Sequence, residues 1–241
     1  MSSMAKGITR DAIVEAALAV LDEAGMDGLT LRAVAQRLDV KAPALYWHVR
    51  DKKTLLDEMG TRVWTEIAAA AGSGERSDWR DALTSYATIA RRGLLAHRDG
   101  ARAFSGTYLT DASVLRDQEA DLAWMEQQGF TVDAATDAFA IVTAFTIGTC
   151  IEEQERLQAA DARYALALRD ERVDAASHPR VAASGRRAAS GNADARFAAQ
   201  LAAVIEGVGG LRGGLRGGLR EGLREGLRTA PAQAESGRME A

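Results

Sequence analysis

The sequence predicts an all-α protein, and three observations carry that reading. Its 241 residues are 47% hydrophobic, enough to bury a substantial core in one large domain or two smaller ones. Ala, Leu, Arg and Glu are abundant, and all are good helix formers. Prolines occur only at Pro43, Pro179 and Pro231, so long stretches lack the residue that most strongly stops a helix.

Taken in order, Thr9 can cap a first helix whose apolar stripe is Ile13, Val14, Ala17, Leu18 and Leu21, with Gly25 as its end. Thr30 caps a short second helix that buries Leu31, Val34, Ala35 and Leu38, and Asp39-Val40-Lys41 is a turn. A third helix is expected over Ala42–Val49, with Pro43 in the first turn, where a missing N–H costs little. A long fourth helix starts near Lys52–Thr54 and carries Leu55, Leu56, Met59, Val63, Trp64 and Ile67, up to a break at Ala71-Gly72-Ser73-Gly74.

Beyond the break, helices are predicted over Asp78–Ala96, Ala101–Thr107, Asp111–Gln128 and Asp133–Asp161. The polar stretch Asp174–Asn192, with Pro179, Gly185 and Gly191, reads as a mobile loop. A last helix over Asp194–Val208 sets Phe197, Leu201, Val204, Ile205 and Val208 on one side. Leu211–Arg228 repeats Leu-Arg-Gly/Glu-Gly. Leu at every fourth residue drifts around a helix axis, and each Gly costs about 1 kcal/mol relative to Ala, so frayed helix or disorder is expected. The expected division is 1–56, 57–209 and a low-complexity tail at 210–241.

Charge sharpens the picture. The formal net charge is −4, yet between Arg32 and Lys53 six basic residues face two acidic ones. A small basic face on an acidic body suits local contact with DNA phosphates. One cysteine, Cys150, rules out an intrachain disulfide and suits a reducing compartment. Met1–Arg10 has no apolar signal core and no 18-residue apolar run is read anywhere in the chain, so a cytoplasmic location and no membrane contact are expected.

Helix, three-residue turn and short helix form the helix-turn-helix layout, whose second helix puts its N-terminal residues at base edges in the major groove. Here that helix reads Ala42-Pro43-Ala44-Leu45-Tyr46-Trp47-His48-Val49. Leu45 and Val49 can face the core, which leaves Ala42, Tyr46, Trp47 and His48 outward. Packing of Tyr46 and Trp47 between helices is the bland alternative.

At these residues the chain resembles the tetracycline-repressor family of transcriptional regulators. Leu29-Thr30-Leu31-Arg32, Ala44-Leu45-Tyr46-Trp47-His48-Val49, Lys52 and Leu55-Leu56-Asp57 look like the family's DNA-binding head. Leu94-Leu95-Ala96-His97-Arg98-Asp99-Gly100-Ala101, Gly106-Thr107, Gln127-Gln128-Gly129-Phe130, Phe145-Thr146-Ile147-Gly148 and Glu152-Glu153-Gln154-Glu155 resemble its tetracycline-repressor-like core, in the same order and with similar spacing. The resemblance implies an N-terminal three-helix helix-turn-helix domain on a helical core that binds ligand and dimerises.

It also implies roles. Arg32 matches a residue that reaches a guanine, where an Arg fork meets two acceptors. Pro43, Tyr46, Trp47, His48 and Lys52 match positions at bases, thymine methyls or phosphates. With Thr30, Lys41, Ala42 and Ala44 they make up the candidate DNA-binding set. Ala42 and Ala44 stand where tetracycline-responsive members carry Gln and Thr, and Lys41 stands where they are acidic. Ala can only touch a thymine methyl, so a different operator sequence is expected.

In the core, Phe104 stands where such members place the histidine that holds the drug's magnesium, and Phe cannot ligate a metal. Tyr86, Ala90, Tyr108 and Ala68 replace other drug-contacting residues, while Thr107 and Glu152 match the family's water-mediated metal shell. A small hydrophobic or aromatic ligand is therefore expected in place of tetracycline–magnesium. The candidate lining is Trp64, Tyr86, Phe104, Thr107, Tyr108, Asp121, Phe139, Thr143 and Glu152, with no resident metal and no cofactor. His97 reads either as a helix cap or as part of a segment that shifts with ligand.

Small residues on the last two long helices (among them Ala134, Ala135, Ala138, Ala140, Ala144, Gly148, Ala198, Ala199, Ala202 and Ala203) match the family's dimer bundle, with intrachain packing as the alternative. One short helix reads only a few base pairs, so two copies on a palindrome supply affinity and specificity. No G-x-S-x-G, C-x-x-C, H-E-x-x-H or P-loop occurs, so an enzyme is not expected. The expected function is a repressor released from a palindromic operator by a small inducer. A ligand-independent DNA-binding protein or an activator of the same fold is the alternative.

Overall fold

The computed structural model describes residues 8–72, 74, 76–158, 172–189 and 192–212, and among these every regular element is helical. The Leu-Arg-Gly repeat lies outside the described residues from position 213 on.

Helix α1 (Arg10–Gly28) starts where the Thr9 hydroxyl accepts the Ala12 N–H at 3.2 Å. Gly25, at φ +69°, kinks its last turn instead of ending it, and the Leu29 N–H returns to the Gly25 carbonyl. Thr30 caps α2 (Leu31–Arg37) by accepting the Ala33 N–H at 3.1 Å. Asp39, at φ +54°, turns the chain into the third element. That element, α3 (Ala42–Trp47), is a 3₁₀ helix and not the α-helix the sequence suggests. Ala44 N–H bonds the Lys41 carbonyl and His48 N–H the Leu45 carbonyl, the three-residue step of a tight helix that Pro43 opens. Asp51 then accepts the backbone N–H and hydroxyl of Thr54, which holds its carboxyl below the ordinary carboxylate range and opens α4 (Lys52–Gly72).

The core helices are α5 (Trp79–Leu95), α6 (Gly100–Phe104), α7 (Ser113–Gln127), α8 (Val132–Gln158), α9 (Pro179–Ala189) and α10 (Ala193–Gly209). Asp78, Thr131 and Asn192 cap α5, α8 and α10 with their side-chain oxygens. Helix α9 overturns part of the loop expected at Asp174–Asn192. Pro179 occupies the first helical position, where it is tolerated, and Ala182 packs inward.

Two hydrophobic clusters hold the molecule. One runs from α1–α3 (Ile13, Leu21, Leu45) through α4 (Leu55, Met59, Val63) to Leu94, Phe104 and Cys150, so head and core share buried side chains. The other joins α5, α7, α8 and α10 through Trp79, Leu83, Met125, Val142, Phe197 and Leu201. Each fully buried Leu or Phe contributes about 1.5–3 kcal/mol. Contrary to the reading that no long apolar run stands out, α8 contains an 18-residue window of mean hydropathy 1.6. It packs against α5, α6, α7 and α10. Its small residues divide between two surroundings. Ala134, Ala135 and Ala138 are buried within the chain, whereas Ala140, Ala144 and Gly148 are exposed, as are Ala198, Ala199, Ala202 and Ala203 on α10.

Candidate functional site

The 3₁₀ geometry of α3 fixes which side chains leave the head. Leu45 and Val49 are fully buried, which anchors the helix from below, while Trp47 is 90% and Tyr46 53% exposed. The packing alternative for these two aromatics is thus not what the fold adopts. Thr30, Arg32, Lys41 and Pro43 are exposed beside them, and Ala42, Ala44 and His48 are half-buried. Thr30 uses its hydroxyl as the α2 cap. Lys52 is the exception in the set: its ammonium donates to the Met26 carbonyl at 2.7 Å, tying the start of α4 to the end of α1. Arg37, which the sequence reading did not single out, pairs with Glu23 at 2.7 Å.

At the same end of α1 the core grips the head. Asp22 accepts from the Arg98 N–H and lies 3.1 Å from His97 Nδ1. Arg98 donates to the Glu23 carbonyl, and Asp99 accepts the Met26 N–H at 2.9 Å. Asp99 takes a left-handed conformation, φ +56°, to turn α5 into α6, and Gly25 leaves room for its carboxylate where a Cβ would collide. The alternative reading of His97 as a simple helix cap gives way to a place in this clasp.

A cavity of about 1050 Å³ lies between α4, α5, α7 and α8. Seven of the nine residues expected to line it do so: Trp64, Tyr86, Phe104, Thr107, Asp121, Phe139 and Thr143. Tyr108 and Glu152 fall outside. The Tyr108 side chain is 74% exposed while its backbone N–H holds Asp57, and Glu152 sits exposed a full turn beyond Gly148, the last α8 residue of the wall. Sequence reading missed Arg76, which follows the helix break where no periodic pattern marks it.

The wall is mainly apolar with a few placed polar groups. Tyr86 Oη and Thr143 Oγ1 lie 2.8 Å apart, and Phe139 meets the Tyr86 ring edge-on at 5.6 Å. Burial pushes the Tyr86 phenol above its usual range. The Phe104 carbonyl accepts from both Trp64 Nε1 at 3.2 Å and Thr107 Oγ1 at 2.9 Å. The Phe104 ring is fully buried edge-on against His97, so it brings no metal donor to the cavity. Among the described residues no three His, Cys, Asp or Glu side chains converge as a metal site.

Residues 13–59 match the model of bacterial regulatory proteins of the tetR family, and residues 71–211 match the tetracyclin repressor-like C-terminal domain. The chain is 34% identical over 206 residues to the class C tetracycline repressor of Escherichia coli, covering 85% of this chain and 92% of that one. A possible TetR family regulator from Streptomyces coelicolor A3(2) superimposes with a TM-score of 0.75 at 35% identity, over 85% of this chain and all of the other. ActR from Streptomyces coelicolor, solved in complex with actinorhodin, gives 0.72 at 26% identity, over 87% of this chain and 99% of its own.

Proposed function

The chain belongs to the TetR family of bacterial regulatory proteins, and from that premise we propose that it is a dimeric repressor released from a palindromic operator when a small aromatic ligand fills its core cavity. Members of the family bind operator DNA and small molecules and act as dimers. The observation that carries the proposal is the position of α6. This five-residue helix begins at the clasp on α1 and ends in the cavity wall: Asp99 precedes it and Phe104 closes it. A ligand that displaces the Phe104 end moves the residues that hold the head.

We assign residues 1–56 to the DNA-binding head, 57–209 to the ligand and dimer core, and 210–241 to an appended tail. Arg32, Lys41, Pro43, Tyr46 and Trp47 form the groove-facing surface, with Ala42, Ala44 and His48 at its edge. Thr30 and Lys52 support that surface, Thr30 by capping and Lys52 by fastening α1 to α4. We place a second copy against the exposed small faces of α8 and α10, where Ala140, Ala144 and Gly148 of α8 also line the cavity. The free dimer holds its heads at the spacing of successive major grooves, roughly 34–36 Å. Ligand favours a core state that changes this spacing, and a coupling of about 1–3 kcal/mol weakens operator binding about 5–150-fold.

The Phe104 ring offers an ion no ligand, which speaks against tetracycline–magnesium as the inducer. A chain of regulators gives no support to catalysis, and we assign the protein no enzymatic activity. A cytoplasmic location follows from the proposed target. A ligand-independent DNA-binding protein of this fold needs a filled core, which a cavity of about 1050 Å³ disfavours.

The test is footprinting of the DNA flanking the protein's own gene, with and without a panel of aromatic compounds that includes tetracycline–magnesium. A protected palindrome released by one aromatic compound supports the proposal. Release by tetracycline–magnesium overturns the reading of Phe104, and the absence of sequence-preferring protection overturns the repressor assignment.

A further inference from the structure

The cavity holds an ion pair that no part of the DNA-release scheme requires. Arg76 donates from one terminal nitrogen to Asp121 Oδ1 at 2.6 Å. The guanidinium lies over the Trp124 ring, 5.6 Å from its centre, which gives its charge a second partner in the wall. Both side chains are partly buried, at 21% and 36% exposure, and both line the main cavity. They also line an adjoining niche of about 20 Å³, shared with Tyr86 and Phe139, with room for a single water-sized polar group.

A guanidinium carries five N–H donors and an ionised carboxylate about four lone-pair sites, so the bond between the two leaves a donor and an acceptor side by side. The charged residues of the wall are Arg76 and Arg116 against Asp117 and Asp121, so the wall has no net charge to select an anion or a cation. The surfaces nearby, including Trp64, Leu122, Phe139 and Ile147, are flat or apolar.

Resting on the reading of this cavity as the ligand site, we propose that Arg76 and Asp121 are specificity-determining residues that read one edge of a neutral, flat polycyclic ligand. That edge carries an acceptor and a donor next to each other, of the lactam or hydroxy-ketone type. The ligand's carbonyl takes an Arg76 N–H, and its own N–H or O–H donates to Asp121. An analogue without the donor sets an apolar surface against the second Asp121 oxygen, while the first stays on Arg76. A site built to bond a donor rejects such analogues far more strongly than a greasy pocket rejects a change of one methylene.

The test uses the full chain and two probes, phenanthridinone and N-methylphenanthridinone, which differ in the lactam N–H. Binding is measured by calorimetry at fixed salt. The expected result is a preference of at least about tenfold for phenanthridinone, because a partly exposed site discriminates less than a sealed one. In the double variant Arg76→Met/Asp121→Leu the preference falls below about twofold or reverses, while N-methylphenanthridinone still binds. Far-ultraviolet circular dichroism confirms that the variant is folded, and Asp121→Asn, which keeps the shape of the side chain, supplies a second reading. Equal binding of the two probes to the wild-type chain overturns the edge proposal and leaves the ligand cavity standing. A preference that survives in both variants also overturns it. Binding of neither probe overturns both the edge and the cavity as a site for flat aromatic ligands.

Discussion

Gln154 Nε2 donates to the His97 carbonyl oxygen at 2.7 Å, across 57 positions of sequence. The same side chain accepts the Ala101 N–H through Oε1 at 3.1 Å, and it is almost completely buried. One amide therefore spans the turn between α5 and α6 from α8, just behind the His97–Asp99 clasp. A buried polar side chain that serves the backbone on both sides of a turn sets the geometry of that turn.

Gln154→Leu, which keeps the bulk and removes the bonds, strips the Ala101 N–H of its acceptor and leaves the His97 carbonyl with the Gly100 N–H alone. The expected loss is about 1–3 kcal/mol of unfolding free energy. It is measured by urea denaturation, with an unchanged slope showing that the fold is kept. The same variant weakens the dependence of operator affinity on ligand. Full stability with full ligand response would show that the turn is held by other contacts.

Asp99→Ala removes the acceptor of the Met26 N–H at the clasp. Stability falls by about 1 kcal/mol, and the Met26 amide exchanges faster with solvent than in the wild type. Hydrogen exchange reads this directly. Operator binding falls as well, because the clasp between head and core loses one of its bonds and keeps only those of His97 and Arg98.

Trp47 is nearly free of the fold, so Trp47→Ala changes stability by no more than about 0.5 kcal/mol. If it faces the groove, operator affinity drops at least about fivefold, as for an interface aromatic that carries more than about 1 kcal/mol. Arg32→Ala behaves differently: it relaxes preference at one base pair. Band-shift titrations on single-substitution operators separate the two.

The Tyr86 phenol is buried, and burial disfavours its charged form, so its folded pKa lies above the unfolded value of about 10. A raised pKa contributes stability that is complete below about pH 10 and is lost as pH rises through the folded value. In an alkaline ultraviolet titration Tyr86 ionises in a late phase, together with loss of structure. Tyr86→Phe removes the late phase. An early, complete titration would mean that the phenol is open to water.

Cys150 is fully buried, and burial pushes its thiol up to about 12. The nucleophile is the thiolate, so the native protein resists thiol reagents at neutral pH and reacts once denatured. Rapid labelling of the native chain would show that α8 opens toward solvent.

Local chemistry determined much of this protein. Thr9, Thr30 and Asp78 are short polar side chains that complete a helix end within two or three residues of themselves, and the apolar periods of α1, α4 and α10 name their buried faces. The outward position of Tyr46 and Trp47 follows from the same periodicity, because Leu45 and Val49 claim the inward side. Seven cavity residues were also legible, through resemblance to a family whose core keeps the same order of blocks. Tertiary structure decided what depends on neighbours distant in sequence. Lys52 donates to the Met26 carbonyl because the end of α1 lies beside it. Tyr108 and Glu152 left the wall because a helix and its loop present only one face to a cavity. Arg76 entered it because Asp121 and Trp124, brought near by the packing of α7, hold its charge there. The clasp of His97, Arg98 and Asp99 on α1 joins segments more than 70 residues apart, and no local pattern encodes a contact whose partner only folding brings within reach.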